Sequence, residues 1–166
     1  RVERGAYPAI LTSASAHFSI ARAAVAAGLG TDAVVHIRTD AHGRMDVREL
    51  ERMCAEMQAD AAHPQGVPLI VCATSGTTVL GAFDDVAAIA EVCRKYNLWL
   101  HVDASWGGAA AFLPHDAPER SVLAGLENAH SITINPHKLL GVTHQCSFLL
   151  VHDKSVLIPP SHSDGG

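Results

Sequence analysis

A chain of 166 residues is long enough for one domain with a real core, and 48% hydrophobic against 17% charged residues excludes a disordered polymer. With 12 basic and 17 acidic side chains the formal net charge is −5, and no basic cluster interrupts it, which argues against nucleic acid as a partner. No apolar run approaches the length of a membrane span, and the opening Arg1-Val2-Glu3-Arg4-Gly5 does not lead into a signal-peptide core, so a cytoplasmic protein without membrane contact is expected.

In chain order, Ala9 to Ser13 is a short apolar segment that predicts a strand, and it leads into Ser15-Ala16-His17-Phe18-Ser19. Ile20 to Ala27 is rich in alanine and predicts a helix, which Gly28 and Gly30 stop. His17 therefore sits at a strand-to-helix junction, where a histidine commonly caps or packs. Ala33 to Ile37 predicts a second strand, followed by a turn from Asp40 to Gly43. Asp46 opens a helix with Glu49 as its capping-box partner. Leu50, Met53, Cys54 and Met57 recur at helical spacing and form the apolar face of that helix, a core stripe. Asp60 to Pro68 is a loop that returns the chain to the sheet.

Val67 to Ala73 is a continuous apolar run, predicting a central parallel strand buried on both faces. The polar loop Thr74-Ser75-Gly76-Thr77-Thr78 follows at its carboxyl end. Asp84 is placed to cap the next helix, with Val86, Ile89, Ala90 and Cys93 on one face and an end near Tyr96-Asn97. Leu98 to Asp103 alternates and predicts a buried strand that delivers a carboxylate, Asp103, at its carboxyl end, where ligands bind in open α/β sheets. After Gly107-Gly108 a loop runs to Pro114-His115-Asp116, and a short helix is expected around Glu119 to Gly125. Ser131 to Ile134 predicts a strand that Pro136 terminates. Asn135, His137 and Lys138 are then presented in a tight turn. Leu139 and Leu140 follow the lysine and suggest a partly buried amine suited to a nucleophile. A last strand is expected from Ser147 to Val151, and from Ile158 the chain loses periodicity.

Helix and strand alternate throughout, which predicts an α/β fold with a mostly parallel central sheet and crossover helices. The four cysteines, Cys54, Cys72, Cys93 and Cys146, lie far apart in apolar stretches with no C-x-x-C, and read as buried free thiols. No H-E-x-x-H and no ligand-spaced Cys/His cluster occurs, so no metal is expected.

A strand-end aspartate followed by a lysine in a turn is the pairing a pyridoxal phosphate enzyme needs, the lysine for the Schiff base and the acid for the pyridinium nitrogen. Four segments carry the pattern further: S-A-H-F-S-I at 15 to 20, A-T-S-G-T-T-V-L-G-A-F-D at 73 to 84, H-V-D-A at 101 to 104 and N-P-H-K at 135 to 138. With these the sequence resembles the group II pyridoxal-phosphate-dependent amino acid decarboxylases, closest to the glutamate and cysteine-sulfinate branch, from about Ala9 to about Leu157. The resemblance implies pyridoxal 5'-phosphate as cofactor and the large domain of the aspartate-aminotransferase-type fold (fold type I). It implies that Lys138, His17 and Asp103 are catalytic, with His17 stacked on one face of the pyridine ring and Ala104 against the other. It further implies that Thr78 bonds near the ring and that Asn135 and His137 contact the cofactor phosphate. Ser105 departs from the second alanine usual after the aspartate.

The implied reaction is decarboxylation of a small acidic amino acid, such as glutamate, cysteine sulfinate or aspartate. An aromatic amino acid decarboxylase, an aminotransferase, or a silent truncated product that binds another subunit are the alternatives. Family chains are several-fold longer and dimeric, with a phosphate-binding glycine/serine loop before this region and a small domain after it. The resemblance thus implies a fragment inactive by itself, with residues 1–157 a partial cofactor-binding large domain, 158–166 a disordered tail, and a homodimer in the full-length form.

Overall fold

The computed structural model describes residues 7–60 and 62–158. Among them, six strands form one sheet: β1 (Pro8–Ser13), β2 (Val34–Ile37), β3 (Val67–Thr74), β4 (Trp99–Asp103), β5 (Ser131–Ile134) and β6 (Phe148–Val151). The order is β2-β1-β3-β4-β5-β6, parallel from β2 to β5 and antiparallel at β6. The helices are α1 (Ser19–Ala26), α2 (Val47–Ala59) and α3 (Val86–Tyr96). The mostly parallel α/β sheet with crossover helices is thus observed, and the antiparallel edge strand completes it.

Period-2 alternation sorts the sheet into two unlike faces. Leu11, Val35, Ile37, Val71, Leu100 and Val102 point to one face and join Leu50, Cys54 and Met57 of α2 and Val86, Ile89 and Cys93 of α3 in a single core cluster. Several of these are fully buried, and each such Leu or Ile stabilises the fold by roughly 1.5–3 kcal/mol. Right-handed crossovers put α2 and α3 together on that face and α1 on the other. The other face carries Thr12, Cys72, Thr74, His101 and Asp103, brought side by side by the strand register. It is covered less completely: Trp99, His101 and Asp103 are only half-buried.

Three local expectations are corrected. Asp46 does cap α2, accepting the N–H groups of Arg48 and Glu49 at 3.0 and 3.2 Å. Glu49, however, closes no capping box: its carboxylate pairs with Arg38 and Arg52, while the Asp46 N–H donates to the Arg38 carbonyl. The cap of α3 is Asp85, which accepts from Ala88 N–H at 3.0 Å, and Asp84 is drawn into the interior instead. Finally, β3 is not buried along its whole length. The register with β1 jumps from Ala9↔Pro68 to Ile10↔Ile70, so Leu69 is skipped and left 53% exposed, while Val71 to Thr74 are buried.

Beyond β4 the expected loop winds as a 3₁₀ turn, Gly107–Phe112, and the expected helix near Glu119 is a second one, Pro118–Leu123. All four cysteines are unpaired. No helix among the described residues is long and apolar enough to cross a membrane. The expected tail lies outside the described residues except for Ile158, which is exposed.

Candidate active site

The carboxyl ends of the parallel strands open into a cleft of about 400 Å³, within the range typical of small-molecule sites. His17, Thr78, Asp103, Asn135, His137 and Lys138 all line it, although more than 100 residues separate the first from the last in sequence. Each is carried there by the end of a strand: His17 after β1, Thr78 after β3, Asp103 on β4, and the Asn135–Lys138 turn after β5. A cleft of similar volume at the other end of β4, lined by Arg94, Glu127, His130 and His152 among others, contains neither Asp103 nor Lys138.

Asp103 pairs in register with Thr74 on one side and Thr133 on the other. Its Oδ1 accepts the Ser105 N–H at 3.0 Å, and Oδ2 takes no hydrogen bond among the described residues. Thr74 is in turn fixed by Asp84, which is buried and accepts from Thr74 N–H at 2.8 Å and from Met45 N–H at 2.6 Å. Burial pushes the Asp84 carboxyl above its ordinary range, and those two N–H bonds work against the shift.

The two loops beside the acid pack closely because Gly107 has no side chain. A Cβ there would lie 2.4 Å from the Phe83 ring and 2.5 Å from the Ser75 carbonyl, to which Gly107 N–H donates at 2.9 Å. Within the G-T-T unit the labour is divided. Thr77 is buried and its Oγ1 accepts the Ala82 N–H at 2.9 Å, whereas Thr78 is exposed to the cleft.

His17 is half-buried, and its Nδ1 is engaged by Ser19, whose N–H donates to it at 3.3 Å and whose Oγ lies 2.9 Å away. The capping role open to a histidine at this junction is therefore real, and it leaves Nε2 as the protonated nitrogen. Lys138 is also half-buried, but not by the residues expected. Leu139 and Leu140 are exposed, and the apolar partner is Trp106, whose ring centroid lies 5.3 Å from the lysine Nζ. The turn is held by Lys138 N–H on the Asn135 carbonyl at 3.0 Å. His137 Nδ1 is bound to the backbone of Cys146, 2.7 Å from its carbonyl and 3.1 Å from its N–H.

One of the implied residues stands apart from the cleft. Ala104 is fully buried and does not line the cleft, and Ser105 does. Asp103, Ala104 and Ser105 continue the alternation of β4, so the alanine points to the core and the serine to the side of the acid. Ser19, Thr74, Gly76 and Trp106 also line the cleft and were not anticipated. The alternation rule was the available signal for Ser105, and the direct continuation of the D-A-S-W segment for Trp106.

The residues present fit pyridoxal phosphate. Two buried polar atoms on the cleft wall, Thr74 Oγ1 and Asn135 Oδ1, have no hydrogen-bond partner among the described residues, and such orphans are rare unless a ligand or water completes them. A lysine amine, an acid with a free oxygen and an imidazole complete the set.

Comparison with known proteins agrees. The chain belongs to the pyridoxal-dependent decarboxylase family: residues 3–162 match its conserved domain. Pyridoxal phosphate is the cofactor of this family. Over 154 residues, 93% of the chain, it is 47% identical to the acidic amino acid decarboxylase GADL1 of Mus musculus and 46% to the cysteine sulfinic acid decarboxylase of Homo sapiens. The crystal structure of mouse CSAD matches 90% of the chain with a TM-score of 0.81 and 47% identity, which shows the fold type I sheet directly. The chain spans only 27% to 30% of the length of these relatives.

Proposed function

We propose that this chain is the catalytic portion of a longer decarboxylase that releases carbon dioxide from a small acidic amino acid, such as glutamate, cysteine sulfinate or aspartate. The observation that carries the proposal is the meeting of Lys138, Asp103 and His17 in one cleft at the strand ends. The similarity to acidic amino acid and cysteine sulfinic acid decarboxylases supports the substrate class.

The cofactor, when bound, draws off the electron pair left on the substrate α-carbon as carbon dioxide departs. Lys138 supplies the amine that anchors it, held near the Trp106 ring. Asp103 would keep a proton on the ring nitrogen with Oδ2, which takes no hydrogen bond among the described residues. His17 would lie along one face of the ring and could donate from Nε2, and Ser105, which lines the cleft where Ala104 does not, would back the opposite face. Thr78, which lines the same cleft as the acid, would bond near the ring. Asn135 and His137 flank the lysine and would hold the phosphate, using the amide of one and the Nε2 of the other.

The same proposal includes a homodimer, a cytoplasmic location and inactivity of the 166-residue piece by itself. Four unpaired thiols support the location. Light scattering of the full-length protein and cell fractionation test the first two, and an assay of the isolated piece tests the third.

The central experiment is borohydride reduction after mixing with pyridoxal phosphate, followed by peptide mass spectrometry. Label confined to Lys138, and absent from Lys138→Ala, is expected. Label spread over Lys95 and Lys154 would overturn the assignment. Carbon dioxide release measured for the three acids against an aromatic amino acid then fixes the substrate class.

A further inference from the structure

In the H-V-D-A segment His101 has no place in the cleft, yet it shares a strand face with Asp103, two residues or about 7 Å further down β4. Its imidazole is held by hydroxyls of β5: Nδ1 lies 2.8 Å from Ser131 Oγ and Nε2 3.4 Å from Thr133 Oγ1. Ser131 is buried and also receives the Trp99 indole N–H at 2.9 Å. An indole nitrogen only donates, so among the described residues the Ser131 hydroxyl proton has one acceptor, Nδ1 of His101. That direction leaves the imidazole neutral, with its proton on Nε2 and pointed at Thr133. Thr133 is the register partner of Asp103.

We infer that His101 is a positioning residue for Asp103: clamped in an uncharged tautomer by Trp99 and Ser131, it fills the place beneath the acid without offering a counter-charge. The Asp103 carboxylate is then left whole for the ring nitrogen of the cofactor. This rests on the cofactor reading proposed above. A cation at His101 would neutralise part of the acid and repel a protonated ring nitrogen, and both effects weaken the proton on that nitrogen. Burial holds the His101 pKa below its ordinary value, with the charge of Asp103 pulling the other way. The other titratable neighbours offer no competing cation on that face. Cys72, its register partner on β3, is a thiol kept protonated by burial, and His130 is one ring removed, stacked on Trp99 at 4.9 Å between centroids.

Two measurements on the full-length protein test this. Imidazole ¹⁵N NMR, assigned with His101→Gln, reads the tautomer without any need for activity. The Nε2–H neutral pattern is expected at neutral pH and on acidification past the point where an unburied histidine takes up its proton, and a cationic or Nδ1–H ring at neutral pH overturns the inference. In the borohydride-reduced protein, absorbance reports the titration of the cofactor ring nitrogen. Ser131→Ala frees Nδ1 to take up a proton and should lower that titration point by about one unit, while Ser131→Thr, which keeps a hydroxyl, should restore it. An unmoved titration in Ser131→Ala overturns the inference alone. Failure of the native protein to take up pyridoxal phosphate overturns the cofactor reading and this inference with it.

Discussion

The turn that holds Asp84 and the strand end that holds Asp103 meet at one residue, Thr74, but they differ in how complete they are. Thr74 gives its N–H to Asp84 and lies in register beside Asp103. Asp84 is buried with both oxygens occupied by backbone N–H groups, whereas Asp103 is half-buried and, among the described residues, has only Oδ1 engaged. A carboxylate saturated by the backbone can only hold the fold. One that keeps free lone pairs beside a cleft is available for chemistry, even though both adjoin the same strand-end threonine.

Substitution separates the two roles. Asp103→Asn removes the charge at little structural cost, so full-length decarboxylation should fall by about 10²–10³-fold in kcat with the thermal midpoint nearly unchanged. Asp84→Ala leaves the Met45 and Thr74 N–H groups buried without an acceptor and should cost about 2–4 kcal/mol in urea denaturation. A stability loss at Asp103, or an activity loss at Asp84 without one, would break the comparison.

The smallest effect sharpens it through pH. Because folded His101 lies below its ordinary pKa, the unfolded chain takes up that proton first on acidification. Its contribution to stability is present above the ordinary histidine range and is lost as pH falls through that range toward the folded value. Denaturation curves across acid pH should therefore steepen in the native protein and flatten in His101→Gln.

Much of this was legible in the sequence, and the exceptions share a physical origin. Strand and helix positions followed from periodicity, because the α2 and α3 stripes and the β4 alternation each match one face of the core. Most of the cleft residues followed from strand ends and from family motifs. The errors arose where two neighbouring residues could serve one purpose and only tertiary structure chooses. Asp84 and Asp85 are both credible caps, and the interior claims the first because two buried N–H groups await it. Ala104 and Ser105 both follow the acid, and the pleat sends only the serine to its side. Leu69 reads as core, and a bulge that no composition reveals ejects it.

The antiparallel strand at the sheet edge has a bearing on how Lys138 comes to be ordered. The ladder closes the loop 135–147 at Ile134↔Phe148, and the His137–Cys146 clasp acts as a second rung inside it. The lysine is therefore the first residue of a smaller inner loop, 138–145. The entropy lost on closing such a loop grows only logarithmically with its length, about 0.6 kcal/mol for each doubling. Residues inserted between Leu140 and Gln145 would lengthen the inner loop at little cost while both rungs kept Lys138 in place. The amine is anchored from its own end of the loop, so the remainder is free to vary in length without displacing it.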